Sequence, residues 1–242
     1  MKTCICMITI DRSERGLENY FQETMSNFEL SGLWESKNPF EFHIYDSGSV
    51  SLDFMGDWKY TCKATVHASH FKLYPKINAG RALLAGSSYP CDWVFFIEDD
   101  ISVCKDFLDG AVAWIEKNSR PDYRVITFYT PYREVEWAHA KGEPYWEYPV
   151  PAFYGTQALA MRPEDAESCG RYMLCDRDHG ADTPSYDLIM KDWHKATYPD
   201  NPYFQATVPS FVQHIGKDSF LLPGRYHACS SFPGADWSAL HG

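Results

Sequence analysis

Long apolar runs are missing from this chain of 242 residues. No stretch approaches the ~20 consecutive apolar residues that a membrane-spanning helix needs. Met1-Lys2-Thr3 leads directly into a short strand-like run, which is not the pattern of a signal peptide. We therefore expect neither a membrane protein nor a secreted precursor, and we predict a cytoplasmic location without a membrane anchor.

Closely paired cysteines are also lacking. The eight cysteines are scattered along the chain, and none forms a C-x-x-C pair. Cys4 and Cys6 lie two positions apart, so they face the same side of a strand, as small buried apolar residues do. A structural zinc cluster needs closer grouping with histidines, and scattered free thiols are typical of a reducing compartment.

Basic residues are scarce. Lys and Arg number 22 against 33 for Asp and Glu, so the formal net charge is −11 at pH 7. A protein that holds polyanions by its overall charge is therefore disfavoured.

The basic segment, residues 59–81, is the exception to this charge balance, because it contains no acid. Its basic residues and histidines are Lys59, Lys63, His67, His70, Lys72, Lys76 and Arg81. The segment is either a basic surface face or a docking patch for an anionic acceptor such as nucleic acid. In the second case, Lys63 and Lys72 are the candidate acceptor contacts.

Strand-like and helix-like patterns alternate over residues 1–130. Apolar and β-branched runs predict strands at 3–10, 40–45, 92–97 and 124–129. Apolar residues at helical spacing predict helices at 17–28, 76–85 and 107–115. This alternation predicts an α/β fold with a mostly parallel sheet flanked by helices. The length favours a single domain, with 1–130 as one half and 131–242 as the other.

The second half of the chain has a different texture. Residues 131–156 are rich in Pro, Trp and Tyr and show no clear period, which predicts a long irregular binding loop. Trp137 and Trp146 are candidate acceptor contacts, because aromatic rings stack on sugars and bases. Packing over the sheet edge is the alternative for these aromatic side chains. A strand is predicted at 157–161, followed by a helix from Pro163 to about residue 174.

Acidic residues follow three of the predicted strands. They are Asp11, Asp46 and the triplet Glu98-Asp99-Asp100. Functional groups of open α/β sheets lie just past the carboxyl ends of the strands. Adjacent carboxylates repel each other and need a cation, and Mg²⁺ and Mn²⁺ prefer oxygen ligands. The triplet therefore favours a divalent metal site, with a solvated turn before a helix as the alternative.

Three segments resemble one family. Phe96-Ile97-Glu98-Asp99-Asp100-Ile101 resembles the acidic DxD motif of GT-A fold glycosyltransferases. Residues 209–216 (PSFVQHIG) resemble the PSLxQHxG segment of N-acetylglucosaminyltransferase IV-like enzymes. Tyr186-Asp187-Leu188 resembles the acidic helix on the acceptor side, and Gly155-Thr156-Gln157 lies where the family often lines the donor sugar.

The resemblance implies a GT-A fold and the metal-dependent transfer of a sugar from a nucleotide-sugar, which the family's pattern suggests is UDP-linked. The acceptor hydroxyl would belong to a glycan or to a hydroxylated base in nucleic acid. Viral enzymes that glycosylate hydroxymethylated bases are a precedent for the second acceptor.

The resemblance also assigns roles to residues. Asp100 would be the main protein ligand of Mn²⁺ or Mg²⁺, and His214 would complete the metal shell. Asp187 would be the general base of an inverting transfer, with Asp182 and Asp192 as rivals and a retaining mechanism left open. The nucleotide-sugar would contact Thr9, Asp11, Arg12, Asp46, Asn78, Arg81, Glu98 and Asp99. Residues 1–130 would thus form the nucleotide-sugar-binding half and residues 131–242 the acceptor-binding half.

Two other functions stay open at this point. A non-catalytic carbohydrate or nucleotide-sugar binding protein would carry the same motifs, but Asp100→Ala would leave its ligand binding intact. A nucleotidyltransferase would share the sheet, yet it usually needs a glycine-rich phosphate loop after the first strand. Residues 11–16 (DRSERG) are a poor match to such a loop.

Overall fold

The computed structural model describes residues 1–60, 63–176, 185–217 and 228–241. The strands are β1 (Thr3–Thr9), β2 (Phe40–Asp46), β3 (Thr65–His67), β4 (Trp93–Glu98), β5 (Ile101–Val103), β6 (Val125–Thr127), β7 (Tyr145–Pro149), β8 (Ala158–Met161), β9 (Tyr203–Thr207) and β10 (Val212–His214). The α-helices are α1 (Phe21–Leu30), α2 (Pro75–Ser87), α3 (Phe107–Asn118), α4 (Arg133–Ala140), α5 (Pro163–Cys175) and α6 (Tyr186–Thr197). In this part of the chain no helix is both long enough and apolar enough to span a bilayer.

One mixed sheet forms the centre of the molecule, with strand order β3-β2-β1-β4-β8-β6-β9-β7. The first four strands are mutually parallel, and β6 and β9 are parallel to each other. β8 runs antiparallel between β4 and β6, and β7 is the antiparallel edge strand. The predicted single-domain α/β fold with a mostly parallel sheet is confirmed.

Both halves of the chain build this sheet. β8 comes from the second half, but it pairs with β4 on one side and with β6 on the other. The division into a nucleotide half, 1–130, and an acceptor half, 131–242, therefore describes roles and not separate bodies, and the roles stay a prediction.

The central strands are apolar throughout because helices cover both faces of the sheet. Every residue of β1 is buried, and its side chains alternate between two cores. Ile5 and Met7 belong to the core that contains α1 and α3, whereas Cys4 and Cys6 belong to the core beneath α2 and α5. The expectation that these two cysteines are small buried residues on one face is correct.

The prediction of a structureless loop at 131–156 is wrong, because this segment contains α4 and β7. α4 has only two turns and buries Val135 and Ala138, so too few apolar positions repeat to make a helical period visible. β7 is an edge strand whose residues are mostly part-exposed, which hides its alternation.

Candidate active site

The candidate site lies where β1, β2 and β4 end. Ile8 is in register with Glu98 across the β1–β4 pair, and Thr9 is in register with Asp46 across the β1–β2 pair. The parallel pairing therefore brings the polar residues that follow these strands to one edge of the sheet. β5 and β10 form a small antiparallel ladder beside this edge, in which His214 lies opposite Ile101.

Asp99 and Asp100 are buried, with 4% and 5% of their surface exposed, and they share one cation. The Nη2 group of Arg12 donates to Oδ1 of Asp99 at 2.6 Å and to Oδ2 of Asp100 at 2.9 Å. Thr9 Oγ1 donates to the other oxygen of Asp99 at 2.5 Å. His214 Nε2 lies 3.1 Å from Oδ2 of Asp100. The pair of acids is thus held from two separate segments of the chain, residues 9–12 and His214.

Burial and these contacts set the protonation of the acids in opposite directions. Burial disfavours the charge of Asp100, but Arg12 and His214 outweigh it and hold the pKa of Asp100 well below its usual value. Burial raises the pKa of Asp99, and Arg12 offsets only part of that rise. Burial lowers the pKa of His214, but contact with Asp100 outweighs it and raises the pKa above its ordinary value. Asp100 is therefore the most firmly ionised acid of the site.

Three buried polar atoms of this site have no hydrogen-bond partner in the described structure. They are Nε and Nη1 of Arg12 and Oδ1 of Asp100. A buried donor or acceptor without a partner costs about 1–3 kcal/mol, so native proteins seldom leave several together. A bound ligand could therefore supply the missing partners of the Arg12 guanidinium and of the Asp100 carboxylate.

The donor set fits a divalent cation only in part. Among the described residues, no three His, Cys, Asp or Glu side chains surround a single metal position. Asp100 and His214 supply one carboxylate and one imidazole, and Oδ1 of Asp100 has a lone pair to spare. This suits Mn²⁺ or Mg²⁺ if a ligand's phosphates complete the shell, which is how Mg²⁺ is commonly held. Arg12 competes for Asp100, so its guanidinium would have to shift as the metal enters.

A second pair of carboxylates adjoins the first. Thr156 Oγ1 lies 2.8 Å from Oε1 of Glu98 and 2.8 Å from Oδ1 of Asp187. The hydroxyl of Tyr186 also donates to Oε1 of Glu98, and the backbone N–H of Gly155 donates to Oδ2 of Asp187 at 3.1 Å. The loop before β8 and the first turn of α6 therefore place Asp187 beside the acidic triplet.

This second pair is suited to hold a proton. The Thr156 hydroxyl has one hydrogen, so it can donate to only one of its two carboxylate neighbours at a time. Burial and the charge of Asp100 raise the pKa of Glu98 to about 7. Burial also raises the pKa of Asp187, although Thr156 and Gly155 offset part of that rise. Both carboxyl groups are thus more basic than exposed ones.

Three predicted nucleotide contacts shape the loops after β1 and β2. Oδ1 of Asp11 accepts hydrogen bonds from Ser13 and Asn19. Asp46 is fully buried and accepts bonds from the backbone N–H groups of residues 48 and 49. Asn78 donates to the carbonyl of residue 45 and to the hydroxyl of residue 47. A nucleotide contact by these side chains stays a prediction.

A close contact between two loops fixes the turn after β2. Gly48 has φ +89°, and a Cβ there would lie 2.1 Å from the carbonyl oxygen of Phe71. Only glycine fits this position, because an added side chain would overlap backbone atoms.

The lysines of the basic segment have acidic neighbours from other parts of the chain. Lys63 lies 3.4 Å from Glu29, and Lys72 lies 3.0 Å from Glu14. Arg81 lies outside these pairs, on a cavity described below. An acceptor contact by Lys63 and Lys72 stays a prediction, and the side chain of Lys59 lies outside the described structure.

The remaining predicted residues differ in exposure. Trp137 on α4 is 53% exposed and stacks with the guanidinium of Arg133, whereas Trp146 on β7 packs against the core. Asp192 is exposed on α6, and Asp182 lies outside the described residues. Trp137 is thus the better placed of the two predicted acceptor contacts.

The sequence did not predict the contacts that two tyrosines make in this site. Tyr186 is buried in the first turn of α6, and its hydroxyl contacts Glu98. The ring centroid of Tyr20 lies 5.5 Å from the guanidinium carbon of Arg12. Only the position of Tyr186 next to Asp187 gave any signal, because the contact of Tyr20 depends on the folded loop after β1.

Comparisons with known proteins bear on the fold. No family model matches the chain, and no curated protein matches it significantly in sequence. Among solved structures, it resembles S. aureus TarS 1–349, with a TM-score of 0.54, 13% identity, and coverage of 86% of this chain and 58% of that one. TarS 1–349 in complex with UDP gives a TM-score of 0.52, 12% identity and the same coverage.

These likenesses show the fold alone, because the sequence identity is low. They confirm the predicted GT-A type of α/β fold. The chain spans 58% of the length of these TarS structures. The finer resemblance to N-acetylglucosaminyltransferase IV-like enzymes stays a prediction.

Proposed function

We propose that this protein is a metal-dependent glycosyltransferase that moves a sugar from a nucleotide-sugar, UDP-linked, to an acceptor hydroxyl. The shared fold supports the proposal, since TarS of that fold has been crystallised with UDP. One observation carries it. The triplet at the end of β4 takes part in two pairs of carboxylates. Asp99 and Asp100 form a cation-holding pair, and Glu98 forms a proton-holding pair with Asp187 of α6. Sugar transfer needs both functions within one cleft.

The cation-holding pair would act on the departing diphosphate. Asp100 and His214 would hold Mn²⁺ or Mg²⁺, which supplies Lewis-acid neutralisation of the leaving group when bound. Arg12 places positive charge beside both acids, and its Nε and Nη1 donors are available for phosphate oxygens. Thr9 keeps Asp99 oriented through its hydroxyl.

The proton-holding pair would act on the acceptor. Asp187 would take the proton of the acceptor hydroxyl while that oxygen forms a bond to the anomeric carbon. The bond from the anomeric carbon to the phosphate oxygen breaks, and its electrons leave with UDP. Gly155 and Thr156 hold both oxygens of Asp187, which orients the carboxylate. Attack opposite the leaving group gives inversion.

The acceptor is proposed to be a hydroxyl of a glycan or of a hydroxylated base in nucleic acid. The exposed ring of Trp137 offers a stacking surface for either class. The two acceptor classes separate in a direct assay, in which the purified protein receives each one with the same donor.

The test is a screen of UDP- and GDP-sugars for turnover with Mn²⁺, with Mg²⁺ and with EDTA. We expect turnover of a UDP-sugar that requires the metal and falls about 10²–10⁴-fold in Asp187→Asn. Asp192→Asn is the matched control, because Asp192 is exposed on the same helix. Metal-dependent UDP binding without turnover of any donor would instead indicate a binding protein, and loss of both properties would sink the proposal.

A further inference from the structure

A cavity of about 620 Å³ is lined by residues of α2 and α5 and by residues near the ends of β2 and β3. None of the acidic residues of the candidate active site lines it. We call it the arginine pocket. The residues that define it are Tyr45, His67, Arg81, Tyr89, Glu167 and Arg171. It therefore lies outside the two carboxylate pairs to which the proposed transfer is assigned.

Two arginines meet at this pocket because of how α2 and α5 cross. A Cβ on Gly170 would lie 2.8 Å from the carbonyl oxygen of Gly80, and one on Gly80 would lie 3.1 Å from the carbonyl oxygen of Gly170. The two glycines thus let the helix backbones touch. Arg81 and Arg171 each directly follow one of these glycines, so the crossing places both arginines in the lining of one cavity.

The positive charge of this pocket is only partly balanced. Arg171 pairs with Glu167 one turn earlier on α5, at 2.8 Å, but both side chains are largely exposed. An exposed pair of this kind contributes little, ~0.3–0.5 kcal/mol. Arg81 has no acidic partner among the described residues. This sets it apart from Lys63, Lys72 and Lys76 of the same segment, each of which has one.

The lining of the pocket also includes two aromatic rings that carry polar groups, those of Tyr45 and His67. The rings of Tyr45 and His67 are stacked, with centroids 4.5 Å apart and planes within 8°. Tyr45 is almost fully buried, and its hydroxyl has no hydrogen-bond partner in the described structure. Burial, together with the charges of His43 and Arg81, lowers the pKa of His67. An anion bound beside His67 would favour the protonated form of this histidine and so raise its pKa.

We propose that the arginine pocket binds an organic phosphate. Two arginines in the lining of one cavity suit a phosphate, which accepts several charge-assisted hydrogen bonds at once. The cavity is larger than a bare phosphate requires, and the stacked rings of Tyr45 and His67 in its lining offer an aromatic surface for the organic part. This site does not depend on the proposed sugar transfer, because it uses none of the residues assigned to that reaction's metal or base.

The experiment is a calorimetric titration with phenyl phosphate, and with inorganic phosphate for comparison, in EDTA. EDTA removes the divalent metal on which donor binding is proposed to depend, so the probe is tested apart from the donor site. We expect Arg81→Gln to weaken phenyl phosphate binding about tenfold or more, as loss of a charged hydrogen bond does. Arg171→Gln should weaken it less, since Glu167 already offsets that charge.

Arg120→Gln is the matched control, because Arg120 is an exposed arginine paired with a nearby acid outside the pocket. It should leave the affinity within about twofold. Equal affinity in the wild type and in Arg81→Gln overturns the proposal. So does phenyl phosphate binding that requires Mn²⁺, which would assign the probe to the donor site. Circular dichroism of each variant checks that it is folded, and a rise in the pKa of His67 on binding, followed by NMR, would support the proposed position.

Discussion

The acidic triplet and the basic segment are two charged regions that differ in burial. In the acidic triplet, Asp99 and Asp100 are buried and share Arg12. In the basic segment, Lys63 and Lys72 stay near the surface, each next to one acid from a distant part of the chain. A buried charge strongly depends on its partner, whereas an exposed pair is screened by water. Charge density along the sequence is therefore a poorer guide to function than burial in the fold.

Removal of Arg12, the partner of two buried acids, should cause the largest loss of stability. Arg12→Met would leave Asp99 and Asp100 buried without their shared cation, which costs about 3–5 kcal/mol of unfolding free energy. Urea denaturation in EDTA measures the loss. Added Mn²⁺ should restore part of the stability of this variant, since it can replace the missing charge at Asp100. A variant as stable as the wild type would mean that the pair is not held as described.

Lys76 tests whether the basic segment is uniform. Unlike its neighbours, Lys76 is buried, and its Nζ lies 3.0 Å from Oδ2 of Asp176, which is also buried. Lys76→Met should therefore lower the unfolding free energy by about 3 kcal/mol. Lys72→Met is the control on the same segment. Equal losses in the two variants would contradict the division into buried and exposed pairs.

The proton-holding pair predicts a pH dependence. The pKa of Glu98 is about 7 in the fold and about 4.3 in the unfolded chain. The unfolded chain therefore loses this proton first, so stability falls as pH rises from about 4.3 to 7 and then levels off. Glu98→Gln keeps a neutral side chain at all pH values and should lose less stability across this window. Denaturation of both proteins at pH 5 and pH 8 checks the difference, which should exceed ~1 kcal/mol. Equal slopes would contradict the raised pKa.

The exposed lysines should give the smallest effect. Lys63→Ala and Lys72→Ala each remove one surface ion pair, so we expect a change of about 0–1 kcal/mol. The effect should shrink further in 1 M NaCl, because salt screens exposed charges. If either variant loses more than that, its pair is not solvent-screened as its exposure suggests.

The carboxylates were predictable from the sequence because each follows an apolar strand in a parallel sheet. β4 ends at Glu98 as the pattern indicates, and this local signal placed the whole triplet. The partners of those acids were harder to find. Arg12 and Asp99 are separated by 87 residues, and nothing near either residue indicates that they meet. Their contact depends on the loop after β1 folding back over the strand ends.

The order of the strands in the sheet likewise could not be predicted from the local pattern of residues. A strand was expected at 157–161, but its antiparallel place between β4 and β6 follows from pairing and not from composition. Thr156 owes its position to this strand, because it lies two residues before the start of β8 at Ala158. The bridge from Glu98 to Asp187 therefore arises from topology, which residue spacing alone does not determine.

The place of β8 has a consequence for cutting the protein in two. A fragment of residues 1–130 would keep β1–β4 and β6, but it would lack the strand that joins β4 to β6. The apolar edges of both strands would then be uncovered, so such a fragment should aggregate instead of folding. Mixing it with a fragment of residues 131–242 should restore a soluble pair only when residues 158–161 can insert between the two edges. The two halves are thus better regarded as complementary fragments than as modules that evolution or an engineer might exchange.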